Sequence, residues 1–218
     1  MTKGSLFIIT AASGTGKTSL VKQLIATTND LAVSISHSTR QPRPGEIDGQ
    51  HYHFVSREIF ADMIKQGEFL EHAEFGGNLY GTTAQAVRDV SDAEPKRQAI
   101  LDIDAQGVRL IKANHAYLDP TYVFIAPPTF ATLKQRLESR ATDSPEAIQR
   151  RLDMALNELK FARQPGSFDC IIVNDDLDRA YGLLRAVVNG DIASKKFDTV
   201  PQVDDTERAA AQAKAQSP

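Results

Sequence analysis

The stretch AASGTGKT at positions 11–18 carries two glycines, a lysine and a threonine at a spacing suited to holding a polyphosphate. In the pattern GxxxxGK followed by Ser or Thr, backbone N–H groups wrap phosphate oxygens at a helix N-terminus, where unpaired amides and the helix dipole both favour negative charge. Gly14, Gly16, Lys17 and Thr18 fit that pattern, and Ala12, Ser13, Thr15 and Ser19 complete the stretch that would line the phosphates. Ala11 stands where the first glycine is expected. The loop tolerates it if residue 11 leaves the preceding strand at negative φ, because only a positive φ demands glycine. In this reading Lys17 meets the β- and γ-phosphates of a nucleotide and the Thr18 hydroxyl ligates Mg2+. The plain alternative is a flexible turn before an ordinary helix. The apolar run SLFIIT before it, and the helical spacing of Leu20, Val21, Leu24 and Ile25 after it, weigh against that alternative.

A second set lies in SHSTRQPRPGE, residues 36–46, and in the following HYHF. Ser36, Arg40, Arg43 and Tyr52 offer two guanidinium forks and two hydroxyls to one dianionic phosphate, and Pro42 and Pro44 stiffen the loop that carries them. A solvated basic loop is the competing reading. Further on, FLEHAEFGGNLYGTT supplies Glu71, Tyr80 and Thr82, while LDID places Asp102 and Asp104 at the C-terminal end of an apolar strand. Ligands of open α/β sheets bind at that edge.

Apolar runs at 98–104, 122–126 and 170–174, each followed by a helical pattern, position these residues and predict a parallel sheet covered by helices. A helix follows Thr129 with Leu133 and Leu137 on one face, and another starts at Ser144, where Ser-Pro-Glu gives an N-cap, a first-turn proline and a first-turn acid. An arginine-rich joint lies between them. The segment 34–82 breaks the rhythm and reads as a small mixed insertion around a helix from Ser56 to Gln66. After about Asn189 the chain turns polar and is expected to form a frayed or helical tail. Phe7, Phe124 and Phe130 are core candidates.

A chain of 218 residues, 41% hydrophobic, buries a core of its own. Its net charge of −3 gives no global reason to expect nucleic acid or an anionic membrane as partner. No apolar run reaches spanning length, so a cytoplasmic location is expected. The single cysteine, Cys170, sits in the apolar run CIIV and reads as a buried small hydrophobe.

Taken together, these residues resemble the bacterial guanylate kinases, P-loop kinases that phosphorylate GMP with ATP, and the match runs from Ser5 to about Asn189. The resemblance implies an α/β fold: a three-layer α/β/α parallel sheet core (1–33, 83–135 and 152–190), a GMP-binding insertion (34–82), a helical lid (136–151) and a polar tail (191–218). It implies that Ser36, Arg40, Arg43, Tyr52 and Tyr80 bind the GMP phosphate. Glu71 would accept from the adjacent N1–H and N2–H donors of guanine, with Thr82 and Asp104 completing the base pocket. Asp102 either reaches Mg2+ through water or holds the GMP-side network; the plain alternative is a strand-end acid capping the next helix. Arg136, Arg140 and Arg151 take the phosphate-facing lid positions, with Ala141 where glycine is usual, and Asn174 lies near the adenine of ATP. The implied catalytic set is Lys17, Arg40, Arg43, Arg136, Arg140 and Arg151 with Mg2+. The implied partners are small molecules, ATP and GMP. The sequence leaves the oligomeric state open, a homo-oligomer included. Two rivals stand beside this reading: a P-loop kinase for another phosphorylated acceptor, and a scaffold domain that binds phosphorylated peptides. The base-reading Glu71, Thr82 and Asp104 argue against the first, and the retained phosphate loop against the second.

Overall fold

The computed structural model describes residues 5–139 and 144–203. Strand β1 (Leu6–Ala11) and strand β8 (Thr121–Ala126) are buried at every position, which is what parallel strands covered on both faces require. That is why their sequences are unbroken apolar runs. With β2 (Leu31–Val33), β7 (Gln98–Asp102) and β9 (Cys170–Val173) they form a five-stranded sheet in the order β2-β7-β1-β8-β9. A second sheet, in the order β4-β3-β6-β5, is built from β3 (His37–Ser38), β4 (His53–Phe54), β5 (Phe69–Phe75) and β6 (Asn78–Thr83). Seven α-helices complete the described residues, which makes the fold α/β.

Contacts divide the chain into two compact units. The first comprises Met1–Ile9 and Thr27–Thr121. Here β7 pairs in parallel with both β1 and β2, with Ile9 opposite Asp102 and Val33 opposite Ile100. β5 and β6 form an antiparallel hairpin that places Glu71 opposite Thr82, just past a register shift between Phe69 and Glu71. Helix α2 (Arg57–Lys65) is capped by Ser56, which accepts from the Ile59 amide, and ends at Gln66, as the sequence predicts. Its Phe60 stacks on Phe69 with ring centroids 4.4 Å apart. Helix α3 (Ala84–Ser91) starts from Thr83 and helix α4 (Ala105–Asn114) from Asp104, so both follow directly from strands of the unit.

The second unit comprises Thr10–Ala26 and Tyr122–Pro218. It contains α1 (Lys17–Thr27) up to Ala26, the parallel pair β8 and β9, and helices α5 (Phe130–Glu138), α6 (Pro145–Ala162) and α7 (Leu177–Val188). Ser144 caps α6 with Pro145 in its first turn, the arrangement read from Ser-Pro-Glu. Leu133 and Leu137 of α5 and Leu152, Ala155 and Leu159 of α6 bury against Phe124, Ala126 and Ala12.

The expected frayed or helical tail is corrected for residues 190–203, which are neither helical nor unpacked. Val200 and Val203 belong to that same core cluster. The Asp198 amide donates to the Ile171 carbonyl, the Asp198 carboxylate accepts from the Val173 amide, and Arg163 donates to the Pro201 carbonyl. Two valines three apart in a polar stretch give no periodic signal, so their burial follows from tertiary contact alone. Residues 204–218 lie outside the described residues. No helix among those described is long and apolar enough to cross a membrane.

Candidate functional site

Two clusters of the predicted residues form, one in each unit. In the second unit, β1 ends at Ala11 and α1 begins at Lys17, and the five residues between them turn on Gly14 and Gly16, both at φ +92°. An L side chain is strained there whatever the space. Space is short as well: a Cβ on Gly14 would lie 2.9 Å from Leu137 Cδ2, and one on Gly16 would lie 2.6 Å from Asn174 Nδ2. Ala11 is not among the positive-φ residues, so it meets the condition under which alanine is tolerated at its place. Lys17 and Thr18 open α1, so the loop runs into a helix N-terminus.

The loop is tied from behind. Asn174, buried at the end of β9, donates from Nδ2 to the Thr15 carbonyl at 2.7 Å. Arg136 donates from Nη1 to the same carbonyl at 3.4 Å and from Nη2 to the Asn174 carbonyl at 3.2 Å. Asn174, placed near adenine in the sequence reading, thus braces the loop in this structure. Arg151 lies half-buried on α6. Arg140 and Ala141 lie outside the described residues.

In the first unit, the β3, β5 and β6 strands bring together Ser36, Glu71, Tyr80 and Thr82. The Ser36 and Thr82 hydroxyls share a hydrogen bond of 2.9 Å. The Tyr80 ring meets Tyr52 edge-on at 6.0 Å, and the Arg40 guanidinium sits 4.9 Å from the centre of the Tyr52 ring and 5.3 Å from that of Phe54. Stacking of this kind holds a guanidinium plane in place.

Sequence reasoning did not single out Glu46. Arg40 donates from Nη1 and Nη2 to the two Glu46 carboxylate oxygens, both at 2.6 Å, and from Nη1 to the Gln41 carbonyl at 3.0 Å. The Arg43 amide donates to Glu46 Oε2 at 2.7 Å. The Arg40 fork, and then the Arg43 amide, hold the Glu46 carboxyl well down, at about 2. Both Nη1 hydrogens are occupied, which leaves the Nε and Nη2 edge of Arg40 for a further anion. The signal was available: Glu46 is the only acid within the cationic stretch 36–46.

Glu71 is buried, 5% exposed. Burial pushes its carboxyl up to about 7, the nearby Asp104 charge adds to the rise, and hydrogen bonds from Thr82 oppose it. Asp104 caps α4, its Oδ1 accepting from the Gln106 and Gly107 amides at 2.9 Å each. The helix-capping role that the sequence left open for Asp102 therefore falls to Asp104. Asp102 ends β7 and is exposed, and the Arg43 side chain is exposed too. Cys170 is buried and its thiol is pushed up to about 11 by that burial, which fits a packing role.

Among the described residues no three His, Cys, Asp or Glu side chains gather as metal ligands. A polyphosphate-bound Mg2+ needs no such set, since it takes its oxygens from phosphates, water and one or two protein groups. The exposed Thr18 hydroxyl at the start of α1 suits that donor set.

Comparison with known proteins places these clusters in context. The family model described as "Guanylate kinase" matches residues 3–191. A guanylate kinase from Psychrobacter arcticus is 54% identical over 188 residues, covering 86% of this chain and 87% of that protein. One from Sus scrofa is 44% identical over 186 residues, covering 85% and 92%. The crystal structure of guanylate kinase from Anaplasma phagocytophilum aligns with a TM-score of 0.65 at 26% identity, covering 85% of this chain and 84% of that one.

Proposed function

The chain belongs to the guanylate kinase family, and from that premise we propose how its two clusters divide the transfer of the ATP γ-phosphoryl group to GMP. The donor cluster of the second unit binds ATP: the amides from Ala11 to Ser19 wrap the phosphates and Lys17 meets the β- and γ-oxygens. Thr18 and the nucleotide's own phosphates would hold Mg2+, with Asp102 as a candidate contact through water, and the bound ion would supply charge neutralisation at the transferring group. Arg136, Arg151 and Arg140 form the lid set of the 136–151 segment and add positive charge as transfer proceeds. The segment 34–82 is the acceptor-binding insertion, and 1–33, 83–135 and 152–190 the core. In this proposal the enzyme works in the cytoplasm on small molecules, with neither a membrane nor a nucleic acid as partner.

The acceptor cluster of the first unit binds GMP. Its phosphate lies against the free edge of Arg40, with Arg43, Ser36, Tyr52 and Tyr80 around it. Glu71 accepts from guanine N1–H and N2–H, and Thr82 and Asp104 hold the pocket. A GMP phosphate is already ionised at neutral pH, so alignment and charge neutralisation carry the chemistry and no general base is needed. The single observation that carries this reading is the buried Glu71 carboxylate beside Thr82 and Asp104, because a carboxylate matches the paired donors of guanine and not the edge of adenine. Competition kinetics between GMP and AMP test it.

Glu46 acts here by holding Arg40 and the Arg43 backbone in the orientation that presents the phosphate clamp. Replacing Glu46 with Gln removes a charge-assisted fork and raises KM for GMP by about tenfold, leaving KM for ATP in place. Unchanged KM values for both substrates would remove Glu46 from the clamp.

Glu71 also sets a pH dependence. Its carboxyl, raised to about 7 in the ligand-free protein, must ionise to accept from both guanine donors, so binding releases its proton. GMP affinity therefore rises with pH, by up to about tenfold per unit, and levels above 7. Calorimetric titration at pH 6 and pH 8, with the wild type against Glu71→Gln, isolates this effect, since the GMP phosphate titrates equally in both. Identical slopes in the two proteins would contradict it.

A further inference from the structure

Gly107 is the third residue of α4 and lies inside the helix without a positive φ, so its backbone conformation is open to any residue. Glycine is disfavoured against alanine in a helix interior. A packing reason is visible. A Cβ built on Gly107 would stand 2.6 Å from Glu71 Oε2, 3.1 Å from Glu71 Cδ and 3.1 Å from Ile103 Cδ1. Real Cβ atoms essentially never approach to 2.6 Å, so the Glu71 carboxylate occupies the volume that a side chain at residue 107 would claim. The Gly107 amide also donates to Asp104 Oδ1. One residue thus touches both acids assigned to the base pocket, one through its missing side chain and the other through its N–H.

We propose that Gly107 is a positioning residue that sets acceptor specificity: its bare Cα lets the Glu71 carboxylate seat against the first turn of α4, at the depth where it meets the paired donors of guanine. The inference rests on the reading of Glu71 as the base-recognition residue. Alanine at 107 pushes the carboxylate along the pocket by the length of the overlap. The longer route around, a shift of α4, is opposed by the buried Val108 and Ile111 of that helix and by the buried Ile103 just before its N-cap.

The test uses Gly107→Ala, Glu71→Asp and the double variant, with Glu71→Gln as reference. In Gly107→Ala, KM for GMP rises about tenfold or more and the preference for GMP over AMP falls, while KM for ATP stays and the melting temperature holds or rises with the better helix former. Glu71→Asp withdraws the carboxylate from the Cβ position, so adding Gly107→Ala to it produces no further loss. That non-additivity is specific to contact between the two side chains. An equal effect of Gly107→Ala in both backgrounds, or no effect on GMP while Glu71→Gln erodes the preference, would overturn the proposal. A fall in melting temperature with both KM values raised together would overturn it too, as general damage. If Glu71→Gln itself leaves the preference intact, the reading of Glu71 fails and this inference with it. Where Gly107→Ala alone does not fold, recovery of folded protein in the double variant reads the same contact.

Discussion

Lys17→Ala lowers turnover by about 10³-fold and leaves the fold in place. Phosphoryl transfer asks little covalent help of a protein, so fixed positive charge at the oxygens that change charge is where the rate is made, and losing one such group has an effect of about 10²–10³. Lys17 begins α1 at the point where the loop amides converge, while the residues that α1 buries are Leu20, Val21 and Leu24. Removing the lysine side chain therefore leaves the helix packing untouched. An ADP-release assay gives the turnover and a thermal melt gives the fold. Turnover within tenfold of wild type, in protein with an unchanged melt, would take Lys17 out of the mechanism.

Glu71→Gln carries the second large effect. The amide keeps the shape of the carboxylate but replaces one acceptor oxygen with a donor, which then faces a guanine donor with no partner for either. Sites built to hydrogen-bond a particular group discriminate by about 10⁴ against ligands that leave their buried polar atoms unpaired. The preference for GMP over AMP consequently drops by about 10²-fold or more. Stability moves the opposite way. Because the folded Glu71 carboxyl is raised to about 7, its stabilising share is fully present below the usual carboxylate range and is lost as pH rises through 7. At pH 8 the wild type holds a buried anion that Gln does not, so the variant melts higher in the absence of GMP. An unaltered preference in competition kinetics would remove Glu71 from base recognition.

The parts of the fold that were legible were those with a local signal. The unbroken apolar runs of β1 and β8, the Ser56 and Ser144 caps, and Leu133 and Leu137 on one face of α5 each follow from neighbours in sequence. The turn from β1 into α1 was legible for the same reason, since Gly14, Gly16 and Lys17 fall within four positions. What escaped needed partners distant in the chain. Val200 and Val203 bury only because the core of α5 and α6 stands ready to receive them. The Asn174 amide, at a position the resemblance places near adenine, also turns to the Thr15 carbonyl, a contact spanning 159 positions. The choice between Asp102 and Asp104 as the helix cap depends on which carboxylate reaches the Gln106 and Gly107 amides, and a single residue separates the candidates. Glu46 and Gly107 were visible letters whose meaning depended on the geometry around Arg40 and Glu71. An acid alone among arginines, and a glycine inside a helical pattern, are the signals to follow in such cases.

The most direct test of the central claim is ADP release with MgATP against GMP, AMP, CMP and UMP in parallel, using the full chain. The account predicts rapid release with GMP and rates at least about 10²-fold lower with the other three. Comparable release with all four acceptors, or none with GMP from folded protein, would contradict it.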